Sequence, residues 1–248
     1  MKKICICGGG ALGHVAAGYI AARSKAEVRV LTNHPERWCR SISVHTPEGK
    51  SLIGSLSMIS SSAKDVVTGA DVLLFCLPGF LIKEELEKVR PFLGADAYVG
   101  TVFSSTGFFF EALKILSPEQ PLWGFQRVPF ISRVVEYGHS ANLLGYKSGF
   151  NIAVEHVSDE EKSQFADGVA DAFGRPVHLL RNYLEASLTN SNPILHTSRL
   201  YTLFSDWHEG VLYPSQFAFY DTWDVSSAQR LIRMDKEFFD LLDVLPVT

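Results

Sequence analysis

The residues of this chain with the clearest chemistry are three glycines, Gly8-x-Gly10-x-x-Gly13. They follow a short apolar run, Ile4 to Cys7, and lead into Leu12, Val15, Ala16, Tyr19 and Ile20 at helical spacing. A second apolar run, Val28 to Leu31, completes a strand–helix–strand unit of about 30 residues. In such a unit the first glycine permits a tight turn, and the second lets the backbone approach a pyrophosphate. The third lets the helix pack on the strand. The free N–H groups of Gly10, Ala11, Leu12 and Gly13 at the helix start then hold phosphate charge, helped by the helix dipole. The glycine pattern alone also fits an ordinary turn; with both strands and the helix in place it predicts dinucleotide binding.

The residues after the second strand bear on which dinucleotide. An acid about 20 residues beyond the glycines commonly holds the ribose 2′-hydroxyl of NAD. Here that neighbourhood is Leu31-Thr32-Asn33-His34-Pro35-Glu36-Arg37, with a neutral Asn33 and its one acid, Glu36, beyond a proline. Asn33 with Arg37, and Arg40 nearby, can accept a 2′-phosphate, so the expectation tilts to NADP(H) over NAD(H). The alternative is that Arg37 and Arg40 only solvate the next segment. Two further strand ends nominate themselves by position: Leu77-Pro78-Gly79-Phe80, with Leu77, Pro78 and Phe80 as cofactor contacts, and Ser104-Ser105-Thr106-Gly107.

Far along the chain lie groups suited to proton transfer. His196 shares a helical face with Asn192, Leu200 and Leu203, which points it inward, and Pro193 inside that pattern predicts a kink. In the last helical pattern Leu231, Met234, Asp235, Phe238 and Leu242 share a face, which puts a carboxylate on the apolar side. A buried carboxylate needs a partner. An inward histidine supplies one, and a His–Asp pair fixes the tautomer and raises imidazole basicity. A purely structural pair stays open as the alternative.

The elements that must position these groups are legible from periodicity. Asp71 to Leu77 is apolar throughout after its first residue, as in a parallel strand covered on both faces. Extended segments at Ile42–His45 and Leu52–Met58 flank a Pro47-Glu48-Gly49 turn, and Ser158 with Glu161 forms a capping box for a helix to about Phe173. Strands alternate with helices to about Asn182, after which the pattern is helical. The expected fold is therefore α/β: a Rossmann-type doubly wound sheet over residues 1–182 with a small all-helical domain over 183–248. The chain has 248 residues, a net charge of −4 and no basic cluster, so neither a nucleic acid nor a membrane surface is expected as partner. Its four cysteines, Cys5, Cys7, Cys39 and Cys76, lack metal-ligand spacing. They read as reduced thiols of a cytoplasmic protein.

Several of these pieces together carry a family resemblance. They are the Gly8–Gly13 loop, Ala70-Asp71-Val72 leading to Leu77-Pro78-Gly79-Phe80, and Arg127-Val128-Pro129-Phe130-Ile131-Ser132-Arg133. Gly145-Tyr146-Lys147, Asn190-Ser191-Asn192-Pro193-Ile194-Leu195-His196, and Phe219-Tyr220 before Met234-Asp235-Lys236-Glu237 complete the set. The chain resembles the opine dehydrogenases of the octopine/nopaline type, within the ketopantoate-reductase and 6-phosphogluconate-dehydrogenase-like group. The resemblance implies reductive condensation of an α-keto acid with an amino acid or amine, through an imine reduced by NAD(P)H. It implies His196 as general acid/base and Asp235 as the group that orients it. Asn190 or Asn192 would hydrogen-bond substrate carboxylate or nicotinamide, and Arg199 or Arg230 would pair with a carboxylate. Tyr213, Phe217, Phe219, Tyr220 and Trp223 either wall the substrate pocket or form core.

Family members continue well past the Asp-x-Glu element, whereas this chain stops at Thr248. A reduced helical domain, a site completed by a second subunit in a homodimer, or a truncated chain each accounts for this. Two rival readings remain. A ketopantoate-type 2-keto acid reductase would carry a lysine on the first helix of the second domain, and Leu184 to Asp206 contains none. A non-catalytic NADP(H)-binding sensor fits the short carboxyl end but leaves the inward His196 and Asp235 without a purpose.

Overall fold

Strands that are apolar at every position must be covered on both faces, and Val72–Phe75 is buried at all four positions. In the computed structural model, which describes residues 1–188, 192–213 and 218–245, this segment lies in the middle of a large sheet. The chain divides into two compact units, Met1–Leu188 and Thr189–Thr248. The first runs β1 (Lys3–Cys7), α1 (Ala11–Arg23), β2 (Glu27–Leu31), β3 (Ser41–His45), β4 (Ser51–Ser55), β5 (Met58–Ser60), α2 (Ala63–Val67), β6 (Val72–Phe75) and α3 (Gly79–Val89). It continues with β7 (Tyr98–Thr101), α4 (Phe108–Ile115), β8 (Leu122–Phe125), β9 (Phe130–Glu136), β10 (Ser140–Tyr146), β11 (Phe150–Glu155), α5 (Asp159–Phe173), β12 (Val177–Leu179) and α6 (Tyr183–Leu188). The second contains α7 (Asn192–Leu203) and α8 (Val225–Leu242).

The main sheet has eight strands in the order β12-β11-β8-β7-β6-β1-β2-β5. From β5 to β8 every neighbour is parallel, and β11 pairs antiparallel with β8. The chain winds outward from β1 through β2 to β5, then returns to the other side of β1 as β6. This is the Rossmann arrangement, with its switch point between β1 and β6. Ile4 and Ile6 bury into one core with α1 and α5, and Cys5 and Cys7 into the opposite one with α2, α3 and α4. The strand alternation thus places both β1 thiols on one face, as their spacing predicts. Ser158 caps α5 as the sequence indicates, accepting from the Glu161 N–H at 3.3 Å while the Glu161 carboxylate accepts from the Ser158 N–H at 2.8 Å.

The sequence does not announce a second, four-stranded sheet, β4-β3-β10-β9, made of two hairpins far apart in the chain. It covers the outer side of α1. The helical spacing of Leu12, Val15, Ala16, Tyr19 and Ile20 implies one apolar face; instead every residue from Gly13 to Ile20 is buried, because α1 lies between two sheets. Gly18 and Gly54 make this approach feasible: a Cβ on Gly54 would stand 2.3 Å from the Gly18 carbonyl oxygen. α6 belongs to the first unit, where Gln126 donates to the Glu185 carbonyl at 3.3 Å. No helix among the described residues is long and apolar enough to cross a membrane.

Candidate active site

The glycine loop sits at the carboxyl end of β1, at the switch point. Gly8 has a φ of +123°, and a Cβ there would meet the Cys76 carbonyl oxygen at 2.7 Å, so any side chain is excluded. Its N–H donates to the Leu31 carbonyl at 2.9 Å, tying the loop to the end of β2. A Cβ on Gly13 would stand 2.0 Å from the Gly8 carbonyl oxygen, which brings the first turn of α1 hard against the strand. Gly10 is different: nothing lies within 4 Å of where its Cβ would be. It is the N-cap of α1 and offers no side-chain cap, and the first turn carries no acid. Free N–H groups, open space and the helix dipole together fit a phosphate group.

Beside the loop, Gly8, Gly9, Thr32, Asn33 and Leu77 line one cleft, and Glu84, Glu85 and Lys88 of α3 face it from the other side. Asn33 and Arg37 are exposed, as a cofactor-facing pair requires. The Arg37 guanidinium lies 4.4 Å from the centroid of the Tyr137 ring. Leu77 is half-buried, Pro78 is the exposed N-cap of α3, and Phe80 is 84% exposed. The Ser104–Gly107 loop meets this segment closely, since a Cβ on Gly79 would stand 2.9 Å from the Thr106 carbonyl oxygen. Its hydroxyls are committed to holding the loop: Ser104 donates to the Phe125 carbonyl at 2.8 Å and Thr106 to that of Phe103 at 2.9 Å.

Sequence reasoning missed the residues that brace the loop from outside. His14 is fully buried beneath the second sheet. Its Nδ1–H donates to the Gly10 carbonyl at 2.9 Å, and its Nε2 accepts the Gly138 N–H at 2.7 Å. This pattern requires the neutral ring, and burial pushes the His14 pKa down, outweighing the bond to Gly10. Trp38 packs on His14 with its ring tilted by 34°, at 4.1 Å between centroids, and Tyr137 meets it edge-on at 5.1 Å. The Tyr137 hydroxyl reaches Gly9 and lies 3.4 Å from Thr32 Oγ1. Gly138 has no alternative residue, because a Cβ there would stand 1.9 Å from the Arg37 carbonyl oxygen. The available signal was His14 inside an otherwise apolar helix, but its partner lies 124 positions away.

In the second unit α7 carries His196 and α8 carries Asp235. His196 is half-buried, 5.1 Å from the Phe219 ring and 6.3 Å from that of Tyr220, and makes no hydrogen bond among the described residues. The expected pair with Asp235 is not formed: Asp235 is exposed, and the sheltered positions of α8 are Ser227, Ala228, Arg230, Leu231, Met234, Phe238 and Leu242. Asp235 lies beside that row rather than in it. Pro193 lies in α7, and the residues just before that helix, 189–191, where the expected kink would show, lie outside the described residues.

Arg199 is also corrected. It is 1% exposed and its guanidinium is fully occupied. It donates to Ser227 Oγ at 2.7 Å, to the carbonyl and hydroxyl of Thr222, and to the Phe219 carbonyl at 3.4 Å, with Asp224 at 3.5 Å. Such an arginine pins α7 to the start of α8 and cannot also hold a substrate carboxylate. Arg230 stacks on Tyr201 at 4.1 Å, and Asn192 is exposed at the start of α7. Phe219 contacts Tyr220 and Trp223, at 4.8 and 6.3 Å, and Tyr213 packs on Phe204. Asn190 and Phe217 lie outside the described residues.

Residues 4–104, which contain the glycine loop and both flanking strand ends, match the family described as ketopantoate reductase PanE/ApbA. Over 263 aligned positions the chain is 25% identical to octopine dehydrogenase of Pecten maximus, across 98% of this chain and 64% of that one. The chain is similar to octopine and opine dehydrogenases over nearly its whole length. Opine dehydrogenase of Haliotis discus hannai is 26% identical across 93% of this chain and 62% of its own length. The chain therefore spans less than two thirds of these relatives. A solved octopine dehydrogenase with NADH and L-arginine superposes with a TM-score of 0.84 at 23% identity, covering 98% of this chain and 64% of that one.

Proposed function

We propose that the chain is an NAD(P)H-dependent dehydrogenase of opine type, joining an α-keto acid to an amino acid or amine by reductive condensation. The observation that carries this reading is the open, uncapped start of α1 at Gly10, at the switch point of a chain similar to opine dehydrogenases over almost its whole length. Gly8, Gly10, Ala11, Leu12 and Gly13 hold the pyrophosphate, and Leu77, Pro78 and Phe80 border the nucleotide. A nicotinamide nucleotide bound there supplies the hydride. A ring nitrogen of His196 moves the proton at the reacting nitrogen or oxygen as the imine forms and is reduced. Asn190 or Asn192 hydrogen-bonds substrate carboxylate or nicotinamide, and Arg230 pairs with a carboxylate. The neutral Asn33 and the exposed Arg37 support NADP(H) over NAD(H).

The test follows NADH and NADPH oxidation over a panel of α-keto acids, with and without amino acids. Amine-dependent turnover that falls about 10²- to 10⁴-fold in His196→Gln, with nucleotide affinity retained, is the expected result. Reduction of a keto acid without amine, insensitive to that substitution, overturns the opine reading. Arg37→Gln should weaken NADPH more than NADH; an equal effect on both, or tighter NADH binding by the unmodified chain, removes the NADP(H) preference.

A further inference from the structure

The glycine loop stands at one end of α1; a second, unassigned cleft stands at the other, about 20 Å away along the helix. It encloses ≈ 280 Å³ between the end of α1, the β3–β4 turn, β10 and the end of α5. Three cations border it, Arg23, Lys50 and Arg175, against one carboxylate, Glu48. No ion pair among the described residues engages any of the three. The Arg23 guanidinium lies 5.2 Å from the Tyr19 ring centroid, and that of Arg175 lies 4.0 Å from that of Tyr146. Stacking occupies the face of a guanidinium and leaves its N–H edge available. Arg175 Nε is buried with no hydrogen-bond partner, and Arg175 as a whole borders the cleft.

Glu48 does not supply that partner. Its carboxylate is tied to the Tyr146 hydroxyl, which is the largest cause holding its pKa below the usual range, with a smaller contribution from the charge of Arg175. Arg23, in the last turn of α1, also offsets the negative end of the helix dipole. That role accounts for one cation, but neither for Lys50 on the hairpin turn nor for Arg175 beyond α5. A cleft with two net positive charges on a chain of net charge −4 is suited to a compact dianion.

We propose that the cleft bordered by Arg23, Lys50 and Arg175 binds a small doubly charged anion, a phosphate or a short dicarboxylate, at a site separate from the glycine loop. The inference is independent of the dehydrogenase reading. It is tested by titrating the chain with inorganic phosphate and, separately, succinate, following the melting temperature against potassium chloride of equal ionic strength. A saturable rise with at least one anion is expected, with half-saturation moved at least tenfold higher in Lys50→Gln and in Arg175→Gln. The arm that responds identifies phosphate or carboxylate chemistry. Lys50 is exposed on a turn, so Lys50→Gln leaves the ligand-free melting temperature unchanged and serves where Arg175→Gln fails to fold. No saturable response beyond chloride overturns the proposal. So does a response that both variants leave intact, which would place the anion at the glycine loop instead.

Discussion

The surroundings of the glycine loop and those of His196 are built on opposite terms. Around the loop the backbone itself is constrained: Gly8 and Gly13 touch carbonyl oxygens, and both ring nitrogens of His14 are engaged. Around His196 the helices are held by one buried arginine, while the histidine has only ring contacts with Phe219 and Tyr220. In the first region a substitution acts through geometry, and in the second it acts through chemistry or through Arg199. The comparison also separates residue type from role. Arg199, the better carboxylate ligand on paper, is the structural pin, whereas His196 makes no hydrogen bond among the described residues.

Gly13→Ala should give the largest effect, because a methyl group cannot occupy a space 2.0 Å from the Gly8 carbonyl oxygen. Denaturant unfolding should register a loss above about 4 kcal/mol, or a loop so displaced that nucleotide titration shows no binding. Normal stability and affinity in that variant would erase the contrast between the two regions. Arg199→Met removes the guanidinium bonds to Ser227 and Thr222 and the ion pair with Asp224, and should destabilise by about 2–4 kcal/mol. Its signature is loss of α7–α8 helicity by circular dichroism; a raised KM with unchanged stability would restore Arg199 as a substrate ligand.

The third effect is smaller and depends on pH. The His14 pKa is lowered from its ordinary value of 6.5 on folding, so the unfolded chain takes up a proton that the folded chain resists. The His14 contribution is therefore whole above pH 6.5 and is lost as pH falls toward the lowered value. His14→Gln should flatten the slope of stability against pH below 6.5, measured by urea unfolding; an unaltered slope would show that the ring is free to protonate in place. Asp235→Asn should do least. At an exposed position its effect on stability should stay within about 0.5 kcal/mol, with turnover reduced far less than by His196→Gln. A loss of turnover matching that variant would show that Asp235 swings to His196 during the reaction.

The Gly8–Gly13 loop was readable because its requirements are local: turn, strand and helix are adjacent in the chain, and only glycine meets the geometry. The continuous apolar run of β6 and the Ser158–Glu161 cap were readable for the same reason. The second sheet was not, since β3 and β10 pair across almost a hundred residues and nothing in either hairpin names the other. Without that sheet α1 reads as one-sided and His14 as unremarkable. In α8 the helical period allowed Met234 and Asp235 to share a face, and only packing decides which of two neighbouring positions turns inward. Periodicity resolves a face to about one position, too coarse to assign a carboxylate.

The contact between Gly138 and the Arg37 carbonyl has a consequence for assembly. The glycine loop and both strands that flank it are complete within the first 31 residues, yet the His14 latch closes only when residue 138 arrives. A contact of that sequence separation forms late, because the closure entropy of the intervening chain has to be met first. An amino-terminal fragment ending before β9 would therefore contain the complete nucleotide motif with its first helix unlatched. The bond from Gly138 to His14 that braces the loop therefore cannot close before residue 138 is available.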